Sequence, residues 1–318
     1  MEPFLVPASQ LTAEWVEREY NNRELVPEHP QFFARWEKDS AFVRETLPGR
    51  IDLAYGPHAR HRIDLFPAKA SKRLLVFLHG GYWRGLDKAM FTWLAPGWVA
   101  DGVSVALVNY RLCPEVRIAD IVDDAIAAVN WIAANAAAMG AGAERIVLAG
   151  HSAGGHLVGA LFAAEPGRLD FDTARIAGGV PISGIFDFSP LPLFSGNADL
   201  RLDAVSARAL DLHERRPTVD APLAVAVGGE ESGEFIRQSR LITDRWAPQV
   251  ESLHILPSLH HFSVLEALAE RGQPLQVATL SFFLIGDVPQ RVLSSRRKWG
   301  TSPLSGPLVP WGDGGRRV

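Results

Sequence analysis

The sequence predicts an α/β fold, a mostly parallel central sheet covered by helices on both faces. Three observations predict it. Short, fully apolar runs such as Leu74-Leu75-Val76-Phe77-Leu78 suit strands buried on both faces of a sheet. Helical stretches alternate with these runs, as crossover connections between parallel strands require. With 318 residues, of which 47% are apolar, the chain can build one large core.

Taken in order, residues 1 to about 48 read as amphipathic helices broken at Pro27, Pro30 and Pro48, with Trp15, Tyr20, Phe32, Phe33 and Trp36 as large apolar groups. Ile51–Tyr55 and the alternating His61–Phe66 read as strands. Leu74–Leu78 and Val103–Val108 follow as buried strands. Apolar residues recur at helical spacing from Ile118 to Met139. Ile146–Ala149 is a strand, and a helix is expected from Ser152 to Ala164. Further strands are expected at Ile176–Ile182, Leu223–Val227 and Leu253–Leu256. Helices are expected over Gly233–Trp246, from Ser263, and over Leu275–Ile285.

Two regions depart from this rhythm. Residues 187–220 are Pro/Leu-rich with a short helical piece near 204–213, and together with residues 1–48 they are expected to form a small lid. These belong to a domain spanning 1–286. Residues 287–318 combine four prolines, several glycines and basic clusters, and are expected to be a loosely ordered tail. Trp299 and Trp311 in that tail are candidate docking groups for a second copy of the chain, so a homodimer is kept open.

Composition excludes several classes. A net charge of −4 with 21% charged residues offers no basic surface for nucleic acid. Cys113 is the single cysteine, which rules out an internal disulfide framework and a four-cysteine zinc site and fits a reducing compartment. No apolar run approaches the roughly 20 residues that span a bilayer. The first residues lack the basic and apolar regions of a signal peptide. A cytoplasmic protein is expected, with no membrane partner.

The chemistry gathers at Gly150-His151-Ser152-Ala153-Gly154-Gly155-His156. This matches G-x-S-x-G between a strand and a helix, the context in which the pattern marks a nucleophile elbow. A turn so sharp needs small neighbours. It lifts the Ser152 hydroxyl above the sheet and leaves the Ala153 N–H free for an oxyanion. Leu78-His79-Gly80-Gly81-Tyr82-Trp83 follows the third strand, where a His-Gly-Gly loop supplies further oxyanion donors, here Gly81 and Tyr82.

A base is expected beyond the last strand, where Leu259-His260-His261-Phe262 offers His261, with His260 as the alternative. The orienting acid is expected after Leu223–Val227, where Glu230, Glu231 and Glu234 compete and no aspartate occurs. His151 reads as a turn residue supporting the elbow, and His79 as a brace for its loop. His156, one helical turn from Ser152, is a candidate substrate contact. Tyr82 and Trp83 are candidate rings that narrow the acyl pocket and stack on an aryl group.

Together these pieces resemble the α/β-hydrolase superfamily and, more narrowly, the arylformamidase (kynurenine formamidase) family. The resemblance covers roughly residues 15–285. It is carried by His79-Gly80-Gly81-Tyr82-Trp83, Gly150–His156, Asn109-Tyr110-Arg111-Leu112 with Pro114, Phe235-Ile236-Arg237-Gln238-Ser239 and His261-Phe262. It implies an α/β-hydrolase fold, Ser152 as nucleophile and His261 as base. Glu231 stands where the family carries an aspartate, with Glu230 behind it. N-formyl-L-kynurenine is the implied substrate, with no metal and no organic cofactor. A broader carboxylesterase or amidase acting on aryl esters, anilides or carbamates is the alternative. A catalytically silent binding module is disfavoured because every role of the triad has a candidate.

Overall fold

The computed structural model describes residues 5–284. The expected tail, with Trp299 and Trp311, lies outside them. Eight strands form one sheet: β1 (Arg50–Ala54), β2 (Arg62–Phe66), β3 (Arg73–Leu78), β4 (Ser104–Val108), β5 (Arg145–His151), β6 (Ile176–Ile182), β7 (Leu223–Gly228) and β8 (Val250–Leu256). Their order is β1-β2-β4-β3-β5-β6-β7-β8. β1 and β2 are antiparallel to their neighbours, and the rest of the sheet is parallel.

The period-2 geometry of a strand explains the continuous apolar runs. In β3, Leu74, Val76 and Leu78 enter one core while Leu75 and Phe77 enter the other. β5 divides in the same way, with Ile146 and Leu148 on one face and Val147 and Ala149 opposite. A single apolar run therefore serves two cores. The edge strand β8 needs only partial cover and is half-exposed along most of its length.

The helices are α1 (Ala13–Tyr20), α2 (Asn22–Leu25), α3 (His29–Thr46), α4 (Ala95–Ala100), α5 (Ile118–Asn135), α6 (Ala153–Phe162), α7 (Asn197–Leu200), α8 (Ala204–Leu210), α9 (Gly233–Arg245), α10 (Glu266–Ala269) and α11 (Pro274–Leu284). Residues of α5, α6 and α9 pack on the first core, and Trp36 of α3, Trp98 of α4 and Phe282 of α11 on the second.

The periodicity of Ile118–Met139 proves to be two elements. α5 stops at Asn135, a 3-10 turn follows, and Gly140 closes it at φ 83°. The 3-10 segment Lys88–Leu94 running into α4 carries no helical signal in the sequence. Pro96 and Gly97 mask it, yet proline is compatible with the first turn of a helix, where its missing N–H has no partner to lose.

Candidate active site

The serine sits where β5 meets α6. Its backbone is held at φ 55° and ψ −117°, outside the regions a serine normally adopts. Its N–H donates to the Ile182 carbonyl at 2.8 Å, which fixes the turn to β6. The flanking glycines are required by contact. A Cβ on Gly150 would lie 2.2 Å from the Gly154 carbonyl oxygen, and one on Gly154 would lie 2.0 Å from that of Leu78. Both positions exclude any side chain. Ala153 opens α6, so its N–H has no intrahelical partner.

The loop after β3 turns through three successive left-handed residues, Gly81 (φ 111°), Tyr82 (φ 51°) and Trp83 (φ 53°). Tyrosine and tryptophan tolerate this only when the surroundings hold them. Trp83 is fully buried, and its backbone carbonyl accepts from Cys113 N–H at 2.8 Å. The Tyr82 hydroxyl donates to the Tyr20 carbonyl at 2.5 Å, and its ring stacks on Phe194 at 5.0 Å. His79 stacks on Tyr110 at 4.3 Å and sets Nε2 3.1 Å from Asn109 Oδ1. Burial lowers the His79 pKa to about 4, so the ring is neutral.

On the far side of the sheet's carboxyl edge, the loop after β7 presents Glu231. Its side chain is fully buried, and Oε2 lies 2.6 Å from Nδ1 of His261. Oε1 accepts from Ser183 Oγ at 2.5 Å and from the Gly228 N–H at 2.7 Å. A carboxylate oxygen only accepts, so Nδ1 carries the proton and Nε2 is the free lone pair. Of the three glutamates, the structure brings Glu231 to His261. Glu230 is exposed, and Glu234 pairs with Tyr20 and Arg237. His260 lies against Phe32 at 4.9 Å, turned toward α3.

Ser152 and His261 share one cavity of about 260 Å³, at the small end of ligand pockets. Gly81, Tyr82 and His151 line it with them. Its apolar wall comes from Phe33, Trp36, Leu86, Phe91, Phe194 and Phe262. α2, α3 and the 187–220 segment thus all supply wall residues.

Two expected substrate contacts do not line this cavity. Trp83 and His156 are buried away from this cavity, packed edge-on against each other at 5.3 Å and both against Phe188. The left-handed turn swings Trp83 into the core, and His156 projects from the side of α6 that faces Phe188. Tyr82 alone of the three lines the cavity.

One contribution extends the expected role of His151 as a support for the turn, and a second is not visible in the sequence. His151 donates from Nε2 to the His261 carbonyl at 2.7 Å, so the turn that bears Ser152 holds the loop that bears His261. Burial, with the neighbouring His261 adding to it, keeps its pKa well below the usual histidine value. The second is a buried network on α9. The Tyr20 hydroxyl donates to Glu234 Oε1 at 2.5 Å, Gln238 Nε2 donates to the Asp187 carbonyl at 2.8 Å, and Arg237 pairs with Asp187 at 2.9 Å. This ties α1 and the start of the 187–220 segment to one helix. Asp187, Asp211 and His213 bring potential metal-ligand atoms within 4.8 Å of one another. The Arg237 guanidinium and the Phe188 N–H already occupy the two carboxylates, so the cluster has its own cations and donors.

A strained serine at a strand-to-helix turn, a buried carboxylate–histidine pair and a cavity shared by serine and histidine place the chain among hydrolases of known type. Residues 75–212 match the family described as alpha/beta hydrolase fold. A solved structure from a Silicibacter species, described as a candidate thioesterase, is 36% identical over 84% of this chain and 98% of its own, with a TM-score of 0.73. The chain belongs to the α/β-hydrolase family. It is a hydrolase of arylformamidase-like sequence. Kynurenine formamidase of Salmo salar is 26% identical over 69% of this chain and 77% of its own length. That of Drosophila melanogaster is 25% identical over 68% and 76%. Among the described residues of this hydrolase, no helix is long and apolar enough to cross a membrane.

Proposed function

We propose that this α/β-hydrolase is a serine hydrolase that cleaves the C–N bond of an aryl formamide, N-formyl-L-kynurenine, to formate and kynurenine. The observation that carries the reading is the 2.6 Å contact of Glu231 with His261, which lines one cavity with Ser152. The formamide as substrate is supported by the kynurenine formamidases, which align over more than two thirds of the chain.

In this reading Nε2 of His261 takes the Ser152 Oγ proton as Oγ bonds to the formyl carbon. The N–H groups of Gly81, Tyr82 and Ala153 receive the oxyanion, preorganised where charge develops. The C–N bond breaks as His261 returns the proton to the aryl nitrogen. A water, deprotonated by His261, attacks the formyl ester. Formate leaves and Ser152 regains its proton. Glu231 keeps Nδ1 protonated throughout. Residues 1–48 and 187–220 act as the cover that keeps bulk water from the cavity. The buried, free Cys113 fits a cytoplasmic setting.

A second reading is supported by the higher identity to the Silicibacter protein: an esterase, thioesterase or amidase of broader acyl range. The same triad serves it, and fold alone does not choose. The test is the rate of N-formyl-L-kynurenine hydrolysis by wild type and Ser152→Ala, beside p-nitrophenyl acetate and an acyl thioester. Formamide turnover that vanishes in Ser152→Ala supports the first reading. Ester or thioester turnover without formamide turnover supports the second.

A further inference from the structure

Beyond His151, Ser152 and His261, the cavity wall carries a second polar set. There α2 and the residue before it supply Asn21, Asn22 and Arg23, the loop after β3 supplies Arg84, and α7 supplies Asp199. Arg84 and Asp199 form an ion pair at 2.7 Å, each side chain a little over one third exposed. Arg23 is exposed and lies over the Phe33 ring at 5.8 Å. This set therefore carries two guanidinium groups and one carboxylate. Asn22 differs from the rest. It is 5% exposed, and its Nδ2 has no hydrogen-bond partner among the described residues. A buried amide donor left unpaired costs on the order of 1–3 kcal/mol, so its presence on a cavity wall points to an acceptor that arrives with a ligand.

An isolated surface ion pair is worth little to stability. This one joins the loop that bears Gly81 and Tyr82 to the segment that covers the cavity. Its two ends remain open to further partners, since an arginine has five N–H donors and a carboxylate has several acceptor sites. The group that complements an arginine–aspartate pair, with a spare amide donor and a second arginine beside it, carries both charges close together. An α-amino acid does so. Its carboxylate fits the two guanidinium groups and the amide, and its ammonium fits the aspartate.

We infer that Arg84, Asp199, Asn22 and Arg23 form a subsite for a zwitterionic α-amino-acid head, and that they select, among aryl formamides, those that carry one. Arg84, with Asn22 and Arg23, takes the carboxylate, and Asp199 takes the ammonium. The inference rests on the formamidase reading above and assigns the substrate's remote end. Binding energy collected there positions the formyl group over Ser152, as remote contacts do in enzymes generally.

The test compares kcat/KM for N-formyl-L-kynurenine with that for 2′-formamidoacetophenone, the same aryl formamide ketone without the amino-acid head. Wild type is expected to favour the headed substrate at least tenfold. Arg84→Met and Asp199→Asn are each expected to reduce that ratio by roughly ten- to a hundredfold, the range for hydrogen bonds to charged groups, mainly through KM. Arg84→Lys is expected to restore part of it. Circular dichroism and labelling of Ser152 by a fluorophosphonate show that each variant is folded, and Asp199→Asn carries the test where Arg84→Met fails to fold. Equal kcat/KM for the two formamides in wild type overturns the inference and leaves the formamidase reading standing. So does an unchanged ratio in folded variants. Cleavage of p-nitrophenyl acetate with turnover of neither formamide overturns both.

Discussion

Glu231 and His261 meet at 2.6 Å through Oε2 and Nδ1, while the other oxygen of the same carboxylate is held by Ser183 and the Gly228 N–H. One oxygen anchors the acid to the sheet and the other orients the ring. Neither can be given up without loosening the second.

Glu231→Gln tests this division of labour. Its amide nitrogen donates, so one of the two contacts must fail or the imidazole must take the wrong tautomer. A fall of roughly 10²- to 10⁴-fold in kcat is expected. Glu231→Asp keeps the charge but is one methylene shorter and cannot span both sets of partners, so an intermediate loss is expected. If kcat of Glu231→Gln stays within about threefold of wild type in a folded protein, the pairing has no catalytic role.

Ser152 carries two expectations. Ser152→Ala is expected to abolish turnover, by roughly 10⁶-fold on the measure of serine hydrolases generally. Ser152→Gly is equally inactive and is expected to raise the melting temperature by about 2 °C, because glycine relieves a backbone at φ 55° and ψ −117° that costs other residues about 1 kcal/mol or more. A calorimetric scan of the three proteins decides it, and a glycine variant that melts below the alanine variant removes the strain argument.

Much of this arrangement could be read from residues that are neighbours in the chain. β3 and β5 stand out as apolar runs because they are buried on both faces, and the serine turn because its glycines are local necessities. Pairings set by the fold alone were not legible. Three glutamates within five positions look alike as residues, and only the family resemblance singles out Glu231, which the loop after β7 turns toward His261. Tyr20 and Glu234 are 214 positions apart, and nothing near either predicts their bond. Trp83 follows Tyr82 directly, yet the left-handed turn sends the two rings to different places. Adjacency to Tyr82 in the chain does not bring Trp83 to the cavity that Tyr82 lines.

Gly154→Ala addresses the closeness of helix and strand. Its Cβ would fall 2.0 Å from the Leu78 carbonyl, which is backbone and cannot swing aside. We expect a loss of stability of several kcal/mol, about 4, and little soluble protein. Denaturant melts comparing Gly154→Ala with Gly140→Ala, where a Cβ meets nothing but the left-handed φ remains, separate the contact from backbone strain. Equal losses would count against the contact.

Acid is expected to weaken the fold through histidines kept neutral by burial. His79 is lowered to about 4 and His156 to about 3, against about 6.5 in an unfolded chain. Their contribution is therefore complete above about pH 6.5 and is lost as pH falls toward those lower values, at about 1.4 kcal/mol per pH unit for each histidine. The His156 Nδ1 has no partner among the described residues, and its ring packs between Trp83 and Phe188. His156→Phe keeps that packing and removes the proton. Its gain in melting temperature is expected to be larger at pH 5 than at pH 8, and a gain independent of pH would contradict the argument.

The network of Tyr20, Asp187, Glu234, Arg237 and Gln238 has a consequence for how the enzyme fails. α1 and the start of the 187–220 segment are moored at α9, whereas Glu231 and His261 stand on the loops after β7 and β8. Beside these polar contacts α1 places only Val16 and Tyr20 in the first core, a small apolar hold that yields to heat and denaturant before the sheet does. Inactivation is therefore expected to run ahead of the collapse of ellipticity, leaving a window in which the scaffold is whole, Glu231 still holds His261, and the molecule is nonetheless an enzyme without a roof.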